Sequence, residues 1–223
     1  MLVFFICVQE IHALDIEITG KEFETRLGGE YSRAYYFYGD ISAIGALELN
    51  SRLAIKTGVS AGRAQDSTDI RTFASARFAL LTEWPLGLNF AWMYNGLPEY
   101  KAHSHTLLPF LSWNARYGGV AVGPSFRFTS FFNEPAIFEP TLTASIYVNF
   151  INDDILRIGA VLANFNDFQA RAFGFYSLCV YTAVRINDNW SVLGELELKQ
   201  SGGDGLTTAF YGVALRGGAR FAW

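Results

Sequence analysis

Apolar and polar side chains alternate with a period of two along most of this chain, and this feature restricts its fold most strongly. From Leu53 to Gly62, one set of alternate positions holds Leu, Ile, Thr, Val and Ala, and the other holds Ala, Lys, Gly, Ser and Gly. Similar alternation starts at Ile70, Val120 and Leu156. Successive side chains of a β-strand point to opposite faces of the sheet. Each stretch therefore predicts a strand with one apolar face and one polar or small-residue face.

Turns rich in Asn, Asp, Gly or Pro separate the alternating stretches. Five of them are tight, at residues 50–52, 84–87, 116–119, 152–154 and 187–189. Longer or more polar connections alternate with them, at residues 65–69, 95–101, 131–140, 164–169 and 200–206. Five tight turns join ten strands in pairs, and one more strand at each terminus predicts twelve antiparallel strands. Ten strands follow if the first two segments form one irregular strand with a plug, and eight require that several clear hairpins merge.

The composition favours an all-β membrane protein. Aromatic residues make up 16% of the chain and charged residues 17%, against roughly 25% charged in ordinary globular domains. After the first dozen residues, no apolar run reaches the length of about 18 residues that a helical membrane span needs. The formal net charge of −4 and the lack of any Lys/Arg-rich run argue against nucleic acid as a partner. An apolar chain without apolar runs predicts a transmembrane, antiparallel, up-and-down β-barrel.

A soluble barrel or sandwich also alternates, and the positions of the aromatic residues argue against it. Tyr and Trp collect near the ends of the predicted strands, as at Tyr35–Tyr36, Trp92, Trp113 and Trp190. Rings that are half apolar and half polar are enriched at membrane–water interfaces, where they form girdles around a barrel. The sequence therefore favours strand ends at the two membrane surfaces.

The first thirteen residues predict an export signal. Leu2–Val8 is apolar, and Ala13 suits a cleavage site, but the basic start of a signal peptide is missing, which a start codon assigned too far downstream explains. An N-terminal buried strand and a lipoprotein anchored through Cys7 are the weaker alternatives. Residues 14–223 are then a single barrel with one cysteine, Cys179, and no internal disulfide.

The C-terminal strand carries a second, independent signal. It places Arg216 and Arg220 on one face and ends in Phe221-Ala222-Trp223. It resembles the final strand of bacterial outer-membrane β-barrel proteins, an alternating run closed by Phe or, less often, Trp. The resemblance implies a place in the bacterial outer membrane, surrounded by its lipid. It also implies that Phe221 and Trp223 form an assembly signal read by the barrel-assembly machinery.

The charged strand residues are predicted to line the pore. Arg or Lys on the lipid face of a barrel costs about 2–4 kcal/mol at the bilayer midplane, so strand arginines belong inside. Together with Glu24 and Lys199, the predicted inner set holds twelve basic and five acidic side chains. The predicted pore-lining residues are Arg26, Glu30, Glu48, Lys56, Arg71, Arg77, Arg116, Arg127, Arg157, Arg171, Arg185, Glu195, Glu197, Arg216 and Arg220.

A basic lumen predicts a passive diffusion channel for small hydrophilic, anionic solutes. In size and charge the chain is similar to small twelve-stranded porins that pass acidic sugars and their oligomers. The alternative is a non-conducting barrel, plugged by paired arginines and glutamates, that serves as a structural anchor or a surface adhesin or antigen. The connection at residues 131–140 fits either function, because it can fold inward as a constriction or protrude. The oligomeric state is not indicated.

The sequence gives little sign of catalysis or of a cofactor. His103-Ser104-His105 places two imidazoles on one face of a strand, but a metal site needs three or four ligands. A catalytic triad at Ser104 would need its histidine from the same strand, where the geometry is poor. Cys179 lies within an apolar strand and is expected to be inert. The chain is therefore predicted not to be an enzyme and to hold no metal or cofactor.

Overall fold

A computed structural model describes residues 18–32, 37–49, 52–64, 67–80, 85–132, 134–172, 174–202 and 208–223 of the protein. The predicted targeting segment, residues 1–13, lies outside these described residues. Among them, no helix is long and apolar enough to cross a membrane.

The described residues form twelve strands that close into one barrel. Each strand pairs antiparallel with its neighbours in the sequence, and β1 pairs with β12. The prediction of a twelve-stranded, antiparallel, up-and-down barrel is confirmed. The strands are β1 (Ile18–Ser32), β2 (Tyr38–Leu49), β3 (Leu53–Arg63), β4 (Thr68–Ala79), β5 (Leu86–Leu97), β6 (Ala102–Ala115), β7 (Gly118–Ser130), β8 (Ile137–Asn152), β9 (Leu156–Ala163), β10 (Phe175–Arg185), β11 (Trp190–Gly202) and β12 (Thr208–Ala222).

The period of two divides each strand between the outside and the inside of the barrel. The outward side chains are mostly apolar and exposed, for example Leu27 at 68% and Leu215 at 67%. Polar inward side chains such as Ser60 and Thr143 are buried. A soluble protein has the opposite arrangement, with its apolar side chains inside. An apolar outside with a polar inside is the arrangement of a transmembrane β-barrel.

The connections differ between the two ends of the barrel. The tight turns, the first residues of β1 and the last residues of β12 lie at one end of the barrel, called here the terminus end. The longer connections lie at the other end, called here the loop end. At the terminus end, the rings of Trp190, Phe221 and Trp223 form an aromatic cluster, with centroid distances of 4.9 and 5.2 Å. The assembly role of Phe221 and Trp223 stays a prediction.

Candidate functional site

One connection at the loop end folds into the lumen. Residues 164–171, called here the inner hairpin, follow β9 and are closed by hydrogen bonds of 2.8 Å from the Arg171 amide to the Asn164 carbonyl and from the Asn166 amide to the Gln169 carbonyl. At its tip, the Asn166 side chain accepts hydrogen bonds of 2.9 Å from the amides of Phe168 and Gln169. Asparagine stabilises turns in this way, so the hairpin is a locally ordered structure.

The inner hairpin packs against an apolar patch on one side of the lumen. Phe168 meets Phe73 edge to face with ring centroids 4.9 Å apart, and Phe165 contacts Phe110 at 5.5 Å. Gly58 lies opposite Phe73 on the neighbouring strand and leaves room for its ring. The patch, called here the apolar wall, consists of Ile44, Phe73, Ala91, Met93, Leu108 and Phe110.

Polar contacts hold the inner hairpin at both of its edges. Asp167 forms an ion pair of 2.6 Å with Lys56 on β3, and Arg171 forms one of 3.1 Å with Glu197 on β11. Arg127 donates a hydrogen bond to the Ala170 carbonyl. The Asn164 side chain bonds the backbone of β8 twice, at 2.8 Å each time. The hairpin is therefore fixed to strands on opposite sides of the barrel.

A network of ion pairs covers the other side of the lumen. Arg216 contacts Glu195, Glu197 and Asp40 at 3.0, 2.9 and 3.2 Å. Gly28 leaves room for the Arg216 side chain, because a Cβ at position 28 would collide with it. The network, called here the charge ladder, comprises Glu24, Arg26, Glu30, Asp40, Glu195, Glu197, Lys199, Arg216 and Arg220.

Around Glu24, the two signs of charge are not equally accessible. The Glu24 side chain is 8% exposed. Arg26 and Arg220, which both bind Glu24, remain 28% and 31% exposed. Glu24 thus lies behind two guanidinium groups that meet the lumen, whereas Glu195 and Arg216, at 19% and 13%, expose both signs of charge to the middle cavity.

Three cavities follow one another along the barrel. The cavity at the terminus end, bordered by Glu48, Arg77 and Trp223, has a volume of about 630 Å³. The middle cavity has a volume of about 390 Å³ and lies between the charge ladder and the inner hairpin. The loop-end cavity has a volume of about 200 Å³ and contains Gln169 in its lining. Phe168 borders the last two cavities, so the hairpin narrows the lumen between them.

Most of the predicted pore-lining residues meet the lumen. Six belong to the charge ladder: Arg26, Glu30, Glu195, Glu197, Arg216 and Arg220. Glu48 and Arg77 line the terminus-end cavity, and Arg157 lines the middle cavity. Lys56 and Arg127 bind the inner hairpin. Arg71 binds Asp69.

Three of the predicted pore-lining residues do not lie in the middle of a strand, where the sequence analysis placed them. Arg171 belongs to the inner hairpin and not to a strand. Arg116 lies in the turn between β6 and β7, where its guanidinium group is 5.2 Å from the Tyr117 ring. Arg185 is exposed at the terminus end of β10. Arg116 therefore lies beyond the strand ends. Arg185 shares the inward face of β10 with Tyr181 and Ala183, which line the middle cavity, so it lies at the terminus-end mouth of the lumen.

The sequence analysis missed five lumenal carboxylates. Asp40, Asp69 and Asp167 pair with Arg216, Arg71 and Lys56 respectively, and Glu22 and Glu139 lie 3.8 Å from Arg220 and Arg127. Removing Arg116 from the predicted inner set of twelve basic and five acidic side chains and adding these five carboxylates gives eleven basic and ten acidic side chains. The lumen is thus close to balanced in total charge, and not strongly basic as the sequence predicted.

In the connection at residues 131–140, Phe131 lines the loop-end cavity, but residues 134–140 do not fold into the lumen. Residues 134–140 are exposed, and β8 already begins at Ile137, paired with Thr129 of β7. The inward-folded segment is the inner hairpin.

The histidine–serine motif does not form a common site. His103 and His105 lie on the outer face of β6 beside Tyr94, with ring centroids 6.4 and 5.2 Å from it. Ser104 points inward and lines the loop-end cavity. In the described part of the chain, no group of three or more His, Cys, Asp or Glu side chains is placed to hold a metal ion. Cys179, expected to be inert, lines the middle cavity.

A closed barrel with an apolar outside and a charged inside is an integral β-barrel of the outer-membrane class. No family model matches the sequence, and no curated protein matches it. The solved structures of similar fold include the NanC porin, with a TM-score of 0.60 and 8% identity over 88% of this chain and 98% of that chain. They also include the KdgM porin in complex with oligogalacturonate, with a TM-score of 0.53 and 11% identity over 90% of this chain and 98% of that chain.

An outer-membrane phospholipase from Salmonella typhi also shares the fold, with a TM-score of 0.52 and 7% identity over 94% of this chain and 93% of that chain. At such identities the likeness concerns the fold alone. It agrees with the predicted bacterial outer-membrane barrel, which is confirmed. Because porins and an enzyme share this fold, the absence of catalysis stays a prediction.

Proposed function

We propose that the protein is a passive outer-membrane channel for small hydrophilic solutes, with a preference for anions. The observation that carries this proposal is the unequal exposure within the charge ladder. Arg26 and Arg220 face the middle cavity, whereas Glu24, which binds both, is buried. At this point of the cavity a solute meets these two guanidinium groups and not Glu24, and basic side chains that line a pore favour anions.

The solved structures of similar fold support a channel function. NanC and KdgM are porins by description, and one KdgM structure holds an oligogalacturonate. The solute route proposed here runs between the inner hairpin and the charge ladder, because the hairpin covers the apolar wall on the opposite side. The finer preference for anions rests on Arg26 and Arg220 and not on the total charge of the lumen.

Neutralising the accessible arginines is expected to weaken or reverse the anion preference. In Arg26→Gln and Arg220→Gln, the buried Glu24 loses a cationic partner, so the local charge becomes more negative. The reversal potential of single channels in a KCl gradient measures this change. Arg116→Gln is the matched control, since it removes an exposed arginine in the turn between β6 and β7.

Unchanged reversal potentials in both lumenal variants would contradict the anion preference. A folded barrel, shown by heat-modifiable migration on a gel, that carries no current would overturn the channel proposal. That result would favour the non-conducting anchor or adhesin.

A thiol reagent is expected to block the channel at Cys179. The side chain lines the middle cavity, and Cys179 pairs with Glu197 of β11, so an attached ethylsulfonate group occupies part of the route. We expect methanethiosulfonate ethylsulfonate to reduce the single-channel current by about half or more, because the cavity has the size of a small-molecule site. Cys7→Ser serves as the background, and the current of Cys7→Ser/Cys179→Ser should not respond. Modification of Cys179, verified by mass, without loss of current would show that solutes bypass this cavity.

A further inference from the structure

We propose that the middle cavity is a binding site for amphipathic organic anions, meaning molecules that join a carboxylate to an apolar ring or chain. The proposal rests on the proposed function, because the ligand is a solute of the channel. It goes further in naming the solute class and the two surfaces that recognise it.

The first surface is a pair of guanidinium groups held by one buried carboxylate. Arg220 binds Glu24 at 2.9 Å, and Arg26 binds the same carboxylate and also Glu195, at 2.9 Å. Glu24 therefore keeps the two arginines side by side and partly exposed to the cavity. A guanidinium group presents five N–H donors in a planar fork that matches a carboxylate. Arg220 uses Nε and Nη2 for Glu24, and Arg26 uses Nε for Glu24 and Nη1 for Glu195. Because both arginines line the cavity, their other N–H groups can donate to a carboxylate of the ligand.

The second surface is formed by two phenylalanine rings of the inner hairpin. Phe165 and Phe168 pack against the apolar wall and remain only partly buried. Both also line the middle cavity, as do Arg26 and Arg220. Anchoring the hairpin needs only the faces of these rings that touch Phe110 and Phe73. The remaining ring surface faces the middle cavity, where it can bind an apolar group.

The two surfaces border a single cavity of small-molecule size. Its volume of about 390 Å³ lies within the range of roughly 300–1,000 Å³ that is typical of ligand pockets. Such pockets combine apolar lining with a few polar groups that fix the ligand orientation. An inorganic anion would use only the arginines, and a neutral apolar molecule only the rings. A molecule with both a carboxylate and a ring would use both surfaces.

Three small probes separate the contributions of the two surfaces. Benzoate carries a ring and a carboxylate, acetate only the carboxylate, and benzamide the same ring without charge. We expect benzoate to reduce the chloride current through the refolded protein at a concentration at least about tenfold lower than acetate or benzamide, a ratio that corresponds to about 1.4 kcal/mol. Single-channel recording in planar bilayers measures the half-blocking concentrations.

Variants assign the block to the two surfaces. In the double variant Arg26→Gln/Arg220→Gln, the half-blocking concentration of benzoate should rise close to that of benzamide. In Phe165→Leu/Phe168→Leu, which retains an apolar hairpin, it should rise close to that of acetate. Phe90→Leu, on the lipid-facing side, should leave the ratio unchanged. An anion-selective chloride current with equal block by all three probes would overturn this inference and leave the proposed function intact. A folded barrel without chloride current would overturn the proposed function itself.

Discussion

Replacing Glu197 with alanine is expected to lower the free energy of unfolding of the barrel by about 3 kcal/mol, because removing one partner of a buried ion pair leaves an uncompensated charge. Glu197 is almost fully buried and binds Arg171 of the inner hairpin and Arg216 of β12 at 3.1 and 2.9 Å. The substitution thus leaves two guanidinium groups without this carboxylate and also loosens one attachment of the hairpin.

Urea unfolding of the barrel in detergent or lipid, followed by tryptophan fluorescence, measures this loss. Glu22→Ala is the control, because Glu22 is 49% exposed and lies 3.8 Å from Arg220. An exposed pair of this kind contributes up to about 1 kcal/mol. If Glu197→Ala unfolds at the same urea concentration as Glu22→Ala, the ion pairs of Glu197 do not contribute to the free energy of unfolding as expected.

The strand number and the orientation of the strands were predictable because they depend only on neighbouring residues. In β3, the alternation from Leu53 to Arg63 directly determines which side chains meet lipid, and the structure places Val59 outside and Ser60 inside. The same period continues beyond the predicted strand ends. Asp69 lies two residues before Arg71 and shares its face, so extending the pattern across the predicted turn would have placed it in the lumen.

The inner hairpin was not predictable in the same way, because its partners are distant in the sequence. Residues 164–169 look like an ordinary polar connection, and no local pattern shows that they fold inward. Asp167 pairs with Lys56, which is 111 residues away in the sequence. Phe168 can contact Phe73 only after the barrel has closed. The near balance of lumenal charge was missed for a related reason, since one of the five overlooked acids, Asp167, lies on this hairpin.

Shortening the inner hairpin is expected to increase the single-channel conductance several-fold, because the hairpin fills lumen that would otherwise hold ions and water. The Arg171 amide already bonds the Asn164 carbonyl at 2.8 Å, so residues 165–170 can be replaced with Asn-Gly, a sequence suited to a two-residue hairpin turn. The replacement uncovers Phe73 and Phe110, the partners of Phe168 and Phe165, so a loss of stability of roughly 1.5–3 kcal/mol for each side chain that becomes fully exposed is expected as well.

Planar-bilayer recording tests this expectation once heat-modifiable migration has shown that the shortened barrel folds. Asp167→Asn is the matched variant, because it retains the length and the apolar contacts of the hairpin and removes only the charge that binds Lys56. It should keep nearly the original conductance in its main state and add brief openings of higher conductance, since the Phe165 and Phe168 contacts still hold the hairpin against the apolar wall. Equal conductance of the shortened and original proteins would show that the narrowest point lies elsewhere, and the route between hairpin and charge ladder would then be wrong.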